Sequence, residues 1–277
     1  MTMALAGRPW SCWAVSVASP CASQRESGSP VGRTRRLTPE LFEWHAPDGA
    51  RGLMTYCVGL MLGQGLIFAA DARGSEIASQ SDRSCELSAY ERGGDRVIVL
   101  LSSGDLTRSR EVCALLGLGG ADESESALWH AKTLQEVAML IAGAVRKVVH
   151  FHAVRPGMRD AVLGASFILG GQVLGETPRL FRISSNADVL EADSQENYFQ
   201  IGESDYGKPI IEWVVRCQTP LNDAARCLLA SFDTTMRNSL TVATPFDLLT
   251  YRTDTLAVHM RRRFNAGSAY FADNSFP

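Results

Sequence analysis

The chain has 277 residues, of which 45% are hydrophobic and 21% charged, and its net charge is −3. That balance is ordinary for a globular protein and leaves room for one large domain or two small ones. The charge provides no electrostatic footprint for nucleic acid, and no apolar run approaches the ~18 residues of a membrane-spanning helix.

Residues 1–53 are rich in Ser, Pro, Gly, Arg and Ala and lack sustained periodicity. Three readings stay open for them: a disordered extension, a propeptide, or upstream sequence from a misplaced start codon. The Met54-Thr55 junction favours the last, because an initiator methionine is trimmed before a small residue. The domain proper is expected over 54–277. Met54 to Leu60 and Gly65 to Arg73 are strand-length apolar runs around Gly63-Gln64-Gly65, which reads as a hairpin. Val97 to Leu101 is a buried strand ending at Ser102-Ser103-Gly104. Asp105 caps a helix through Leu116, with Gly117 as its stop. Thr133 opens a second helix, in which Leu134, Val137, Ala138, Ile141, Val145 and Val148 form one face.

Beyond Pro156-Gly157, Ala161 to Leu169 is an apolar strand that meets a turn signal at Gly170-Gly171. Arg179 to Ser184 alternates as a half-buried strand does, and Tyr198 to Gly202 is another short strand. Ile210 to Val215 and Ala224 to Met236 read as helices. Leu240 to Val242, Phe246 to Tyr251 and Leu256 to Val258 return to strand. Strands, two helices, strands, two helices, strands is an α+β order. Its simplest packing is two sheets face to face with a helical layer outside each.

Several familiar sites are absent from the sequence: His-Glu-x-x-His, a Walker A loop and a Gly-x-Ser-x-Gly elbow. Seven scattered cysteines without a Cys-x-x-Cys pair argue against a disulfide framework or zinc ribbon and suit a reducing cytoplasm. His150 and His152 are two apart and read as surface or packing residues, so no metal or cofactor is expected. The run Arg261-Arg262-Arg263 reads as a solvated basic face. Thr55 is different. If it were the first residue, one side chain would carry the nucleophilic hydroxyl and its own α-amine would be the base. Asp71 ends the paired strand and could orient that amine and hydroxyl. Gly104 ends another strand, where its N–H could stabilise an oxyanion.

Met54-Thr55-Tyr56-Cys57-Val58-Gly59, Ala69-Ala70-Asp71-Ala72-Arg73 and Leu100 to Gly104 resemble the N-terminal half of bacterial proteasome-type proteases. Ala165 to Gln172, Gly175 to Phe181, Tyr198 to Ser204, Tyr206 to Ile210 and Asp247 to Arg252 are similar, in order and spacing, to the Anbu (ancestral beta subunit) family. The resemblance covers residues 54–271. It implies the four-layer αββα N-terminal-nucleophile hydrolase fold, a peptide or protein substrate, and self-association into a ring or open spiral. It also implies Thr55 as nucleophile, Asp71 as the acid of the second strand and Gly104 as oxyanion donor. Ser204 and Asp233 are candidates for the polar cluster near the amine. One departure matters: the family's lysine falls on Glu86, and no lysine occurs between Thr55 and Ala131. Two functions are therefore expected from different classes, a threonine hydrolase and a catalytically silent assembly subunit. A small-molecule amidase is a third reading on the same fold.

Overall fold

The computed structural model describes residues 55–72, 86–118, 126–153, 164–239 and 242–265. The chain divides into Met1–Asp48 and Gly49–Pro277, and every described residue belongs to the second unit. The readings made for residues 1–54, Arg73, Pro156-Gly157, 161–163 and Leu240-Thr241 lie outside the described residues.

The hairpin forms as its pattern predicts. Strands β1 (Tyr56–Leu62) and β2 (Gly65–Asp71) pair antiparallel, Cys57 opposite Ala70 and Leu62 opposite Gly65, around Gly63-Gln64. Next come β3 (Glu86–Arg92) and β4 (Arg96–Gly104), then helices α1 (Leu106–Leu115) and α2 (Leu134–Ala153). The Asp105 carboxylate accepts the Arg108 N–H at 3.1 Å, and Glu136 N–H donates to the Thr133 hydroxyl at 3.1 Å. Both helices thus start where a side-chain oxygen satisfies a free N–H. Strands β5 (Ala165–Val173), β6 (Arg179–Ile183), β7 (Val189–Glu191) and β8 (Tyr198–Gly202) follow. Helices α3 (Lys208–Val214) and α4 (Leu221–Asn238) and strands β9 (Phe246–Arg252) and β10 (Val258–Phe264) complete the domain.

These strands make two five-stranded sheets, ordered β10-β9-β2-β1-β8 and β3-β4-β5-β6-β7. Three apolar cores explain why they stack. Leu134, Val137, Ala138 and Ile141 of α2 pack with Ile98, Leu100 and Phe181 on the outer face of one sheet. Leu228, Leu229 and Phe232 of α4 pack with Val58, Leu60 and Phe246 on the outer face of the other. Cys57, Phe68, Val99, Leu101 and Ile168 fill the space between the sheets. The layers are therefore helices, sheet, sheet, helices. This is the four-layer αββα sandwich of the N-terminal-nucleophile hydrolase type.

Three local expectations change. Gly170-Gly171 is not a turn but lies inside β5. A Cβ at Gly170 would meet the Phe68 ring at 2.5 Å, so the glycine admits an aromatic ring from the facing sheet. Leu256 has φ 46° in the connection after β9, and the last strand starts at Val258, later than the apolar pattern suggests. The arginine run is not simply a solvated face. Arg263 grips the buried Asp247 with Nε at 2.8 Å and an Nη at 3.0 Å, and Arg261 donates to the Leu87 carbonyl at 3.0 Å, tying β10 to β3.

Candidate active site

Thr55 immediately precedes β1 and is 5% exposed. β1 is an interior strand, held by β2 on one side and β8 on the other. The pairing with β8 continues past the strand end, since Glu203 N–H donates to the Thr55 carbonyl at 2.7 Å. The Thr55 side chain faces the other sheet. Its Oγ1 shares a short hydrogen bond with the Ser103 hydroxyl at the end of β4. One residue further is Gly104, with φ 113°, where a Cβ would lie 2.4 Å from the Gly164 carbonyl oxygen. Only glycine fits so close to a neighbouring backbone. The hydroxyls of Thr55 and of Ser103, the residue before Gly104, thus meet between the two sheets, although they are far apart in sequence.

Asp71 is buried at the end of β2, opposite Phe246 and next to Ala70, the partner of Cys57. Ser204 is exposed, and its N–H is held at 2.9 Å by the Glu203 carboxylate. Asp233 lies on α4 and makes an ion pair with Arg237 at 2.8 Å. These contacts involve the Ser204 backbone and the Asp233 carboxylate. The polar face that α4 buries instead carries Ser231 and Thr235. Glu86 pairs by its backbone with Ser102, one residue before the Ser103 that touches Thr55.

Several neighbours of Thr55 were not singled out by sequence reasoning. Gly202, at φ 92°, lies so close that a Cβ would fall 1.8 Å from the Thr55 carbonyl oxygen and 3.2 Å from Oγ1. Glu203 is buried, and its carboxylate also accepts the Asp205 N–H at 3.0 Å. Tyr56 is fully buried, with its hydroxyl 2.6 Å from Ser231, whose own hydroxyl donates to the Gly207 carbonyl at 2.9 Å. Burial pushes the Tyr56 phenol well above the ordinary tyrosine range, against a smaller lowering by the Ser231 hydrogen bond. It stays a neutral anchor between β1 and α4. Ser103 and Gly202 do stand in the motifs Ser102-Ser103-Gly104 and Tyr198 to Ser204. Nothing in a single sequence shows which hydroxyl of two serines crosses to the other sheet. Cys57 is disulfide-bonded, while Cys217 and Cys227 are free thiols. Cysteine spacing, read as arguing against a disulfide framework, did not signal this crosslink beside the site.

A threonine at the head of an interior strand, bonded to a strand-end serine across an αββα sandwich, fits the class of proteasome-like hydrolase folds. No family model matches the chain, and no curated protein does. Solved structures do. Anbu (ancestral beta-subunit) from Yersinia bercovieri is 35% identical over 79% of this chain and 90% of that one, with a TM-score of 0.68. Anbu from Hyphomicrobium sp. strain MC1 is also 35% identical, with the same coverage and TM-score of 0.68. A helical assembly of the Anbu complex from Pseudomonas aeruginosa is 31% identical over 79% and 90% of the two chains, with a TM-score of 0.68. The chain belongs to the Anbu family.

Proposed function

We propose that this protein is a threonine hydrolase of peptide or amide bonds whose mature chain begins at Thr55. The observation that supports it most is the bond of the Thr55 hydroxyl to Ser103 at the β4 end, next to Gly104. In this reading Thr55 Oγ attacks the substrate carbonyl carbon while the freed α-amine takes the hydroxyl proton. The Gly104 N–H receives the negative charge that develops on the carbonyl oxygen. The ammonium then returns the proton to the leaving amine as the C–N bond breaks. Water, deprotonated by the same amine, hydrolyses the threonyl ester. Asp71 orients the amine. Ser204 and Asp233 are candidates for the supporting polar cluster near the amine.

The test is covalent labelling with a β-lactone or epoxyketone, read by mass spectrometry on the native protein. Label on Thr55, with residues 1–54 absent and none on a Thr55→Ala variant, is the expected result. Residues 1–54 still attached in native protein, with no label, overturns the reading. The second reading, a silent assembly subunit, is favoured by one observation: no lysine lies between Thr55 and Ala131. A nearby ammonium would favour the alkoxide-like transition state, and its loss predicts weak activity. In either reading the protein is a large homo-oligomer. Exposed Met139 and Phe151 on α2 and Trp213 on α3 support this, as does the helical assembly of the Pseudomonas aeruginosa relative. Light scattering showing only monomer at micromolar concentration would refute it. Among the described residues no helix is long and apolar enough to cross a membrane.

A further inference from the structure

The free edge of β8 opens into a cavity of about 930 Å³ whose lining runs from Asn197 along the strand to Gly202 and Ser204. The hydrogen-bond pattern fixes what that edge offers. Asn197 and Glu203 spend their backbone groups on β1, through Met61 N–H to Asn197 O at 2.7 Å and Glu203 N–H to Thr55 O at 2.7 Å. In an antiparallel ladder the intervening alternate residues point the other way. The N–H and C=O groups of Tyr198, Gln200 and Gly202 therefore face the cavity. Among the described residues no strand pairs with them. The Gln200 side chain adds a buried oxygen, Oε1, without a hydrogen-bond partner among the described residues.

The lining carries Arg182, Lys208 and Arg216 against Glu196 and Glu212, a small positive excess. Glu212 pairs with Lys208 at 3.5 Å and accepts the Tyr198 hydroxyl at 2.7 Å. Arg182 and Arg216 line the same space, exposed, and make no ion pair among the described residues. Arg182 lies over the Phe199 ring at 5.7 Å, and one Arg216 nitrogen rests on backbone carbonyls at 2.7 and 2.8 Å. Two cations beside three outward-facing backbone positions match one kind of guest.

We propose that the β8 edge is an exosite for an extended acidic peptide segment, which adds to the sheet as a further strand. Its backbone pairs with Tyr198, Gln200 and Gly202, and its carboxylates meet Arg182 and Arg216. The guest strand lies two strand spacings from β1, roughly 10 Å. It is therefore held beside Thr55 rather than in the path of its hydroxyl, and tethers a substrate or adaptor segment without being cut. The inference does not depend on turnover, so it is tested on the full chain carrying Thr55→Ala. Anisotropy is measured with a fluorescent eight-residue peptide that alternates Glu with Val and Thr. Saturable binding is expected, with a loss of at least ~10-fold for the Arg182→Glu/Arg216→Glu double variant. A similar loss is expected when alternate peptide amides are N-methylated. Hydrogen exchange should show the Tyr198, Gln200 and Gly202 amides fast in free protein and slowed by the peptide. Equal binding of the methylated peptide, binding indifferent to the double variant, or amides already protected by a second copy would each overturn the proposal.

Discussion

Gly202→Ala is the sharpest test of how Thr55 is held. A side chain at φ 92° costs about 1–3 kcal/mol before any contact is counted. The added Cβ would sit 1.8 Å from the Thr55 carbonyl oxygen, and that oxygen is backbone, with no rotamer to escape into. The Glu203 N–H to Thr55 bond must therefore open, at about 1 kcal/mol more. The sum is roughly 2–4 kcal/mol, and in a domain of this size each kcal/mol lowers Tm by about 2–4 °C. A drop of roughly 4–16 °C is expected in thermal denaturation. Labelling should suffer more than stability. A shift of about 1 Å at the nucleophile is enough to slow chemistry ~100-fold. Gly93→Ala is the control, because nothing lies within 4 Å of its Cβ position. If Gly202→Ala melts within about 1 kcal/mol of the wild type and labels at the same rate, the geometry argued for Thr55 is wrong.

Glu86→Lys should raise the labelling rate at Thr55 at least ~10-fold if a missing ammonium is what slows this chain, a modest fraction of the several kcal/mol such a charge supplies in a dry site. An unchanged rate, in protein with a free Thr55, removes the electrostatic explanation. Tyr56→Phe deletes a hydroxyl 2.6 Å from Ser231 and should cost about 1 kcal/mol in urea titration, with the fold retained; no change in midpoint would show the anchor to be idle. Asp247→Ala leaves Arg263 without its two bonds of 2.8 and 3.0 Å and should cost about 1.5–3 kcal/mol; a loss under ~0.5 kcal/mol would mean the pair is a surface ion pair in effect.

The sequence by itself determined the element order. Period-two and three-to-four-residue apolar spacing fixes which residues must be buried, and burial dominates the free energy. Hence β1, β2, β4, α2 and α4 were legible, as was the Asp105 cap, whose physics is local. The threonine and the strand-end glycine were legible as candidates because of their places at strand ends. β7 was not, since Val189–Glu191 is only three residues and has no period to read. Gly170-Gly171 misled because a glycine serves a turn and a close approach equally well, and only the facing Phe68 says which. The neighbours of Thr55 belong to the same class. Ser103 is 48 residues away along the chain and Gly202 lies on another strand. Sheet register and the stacking of two sheets bring them together, and neither can be computed from local pattern. Which arginines of the 261–263 run are spent on Asp247 and Leu87 was decided the same way, by the pairing of β10 with β9 and its approach to β3.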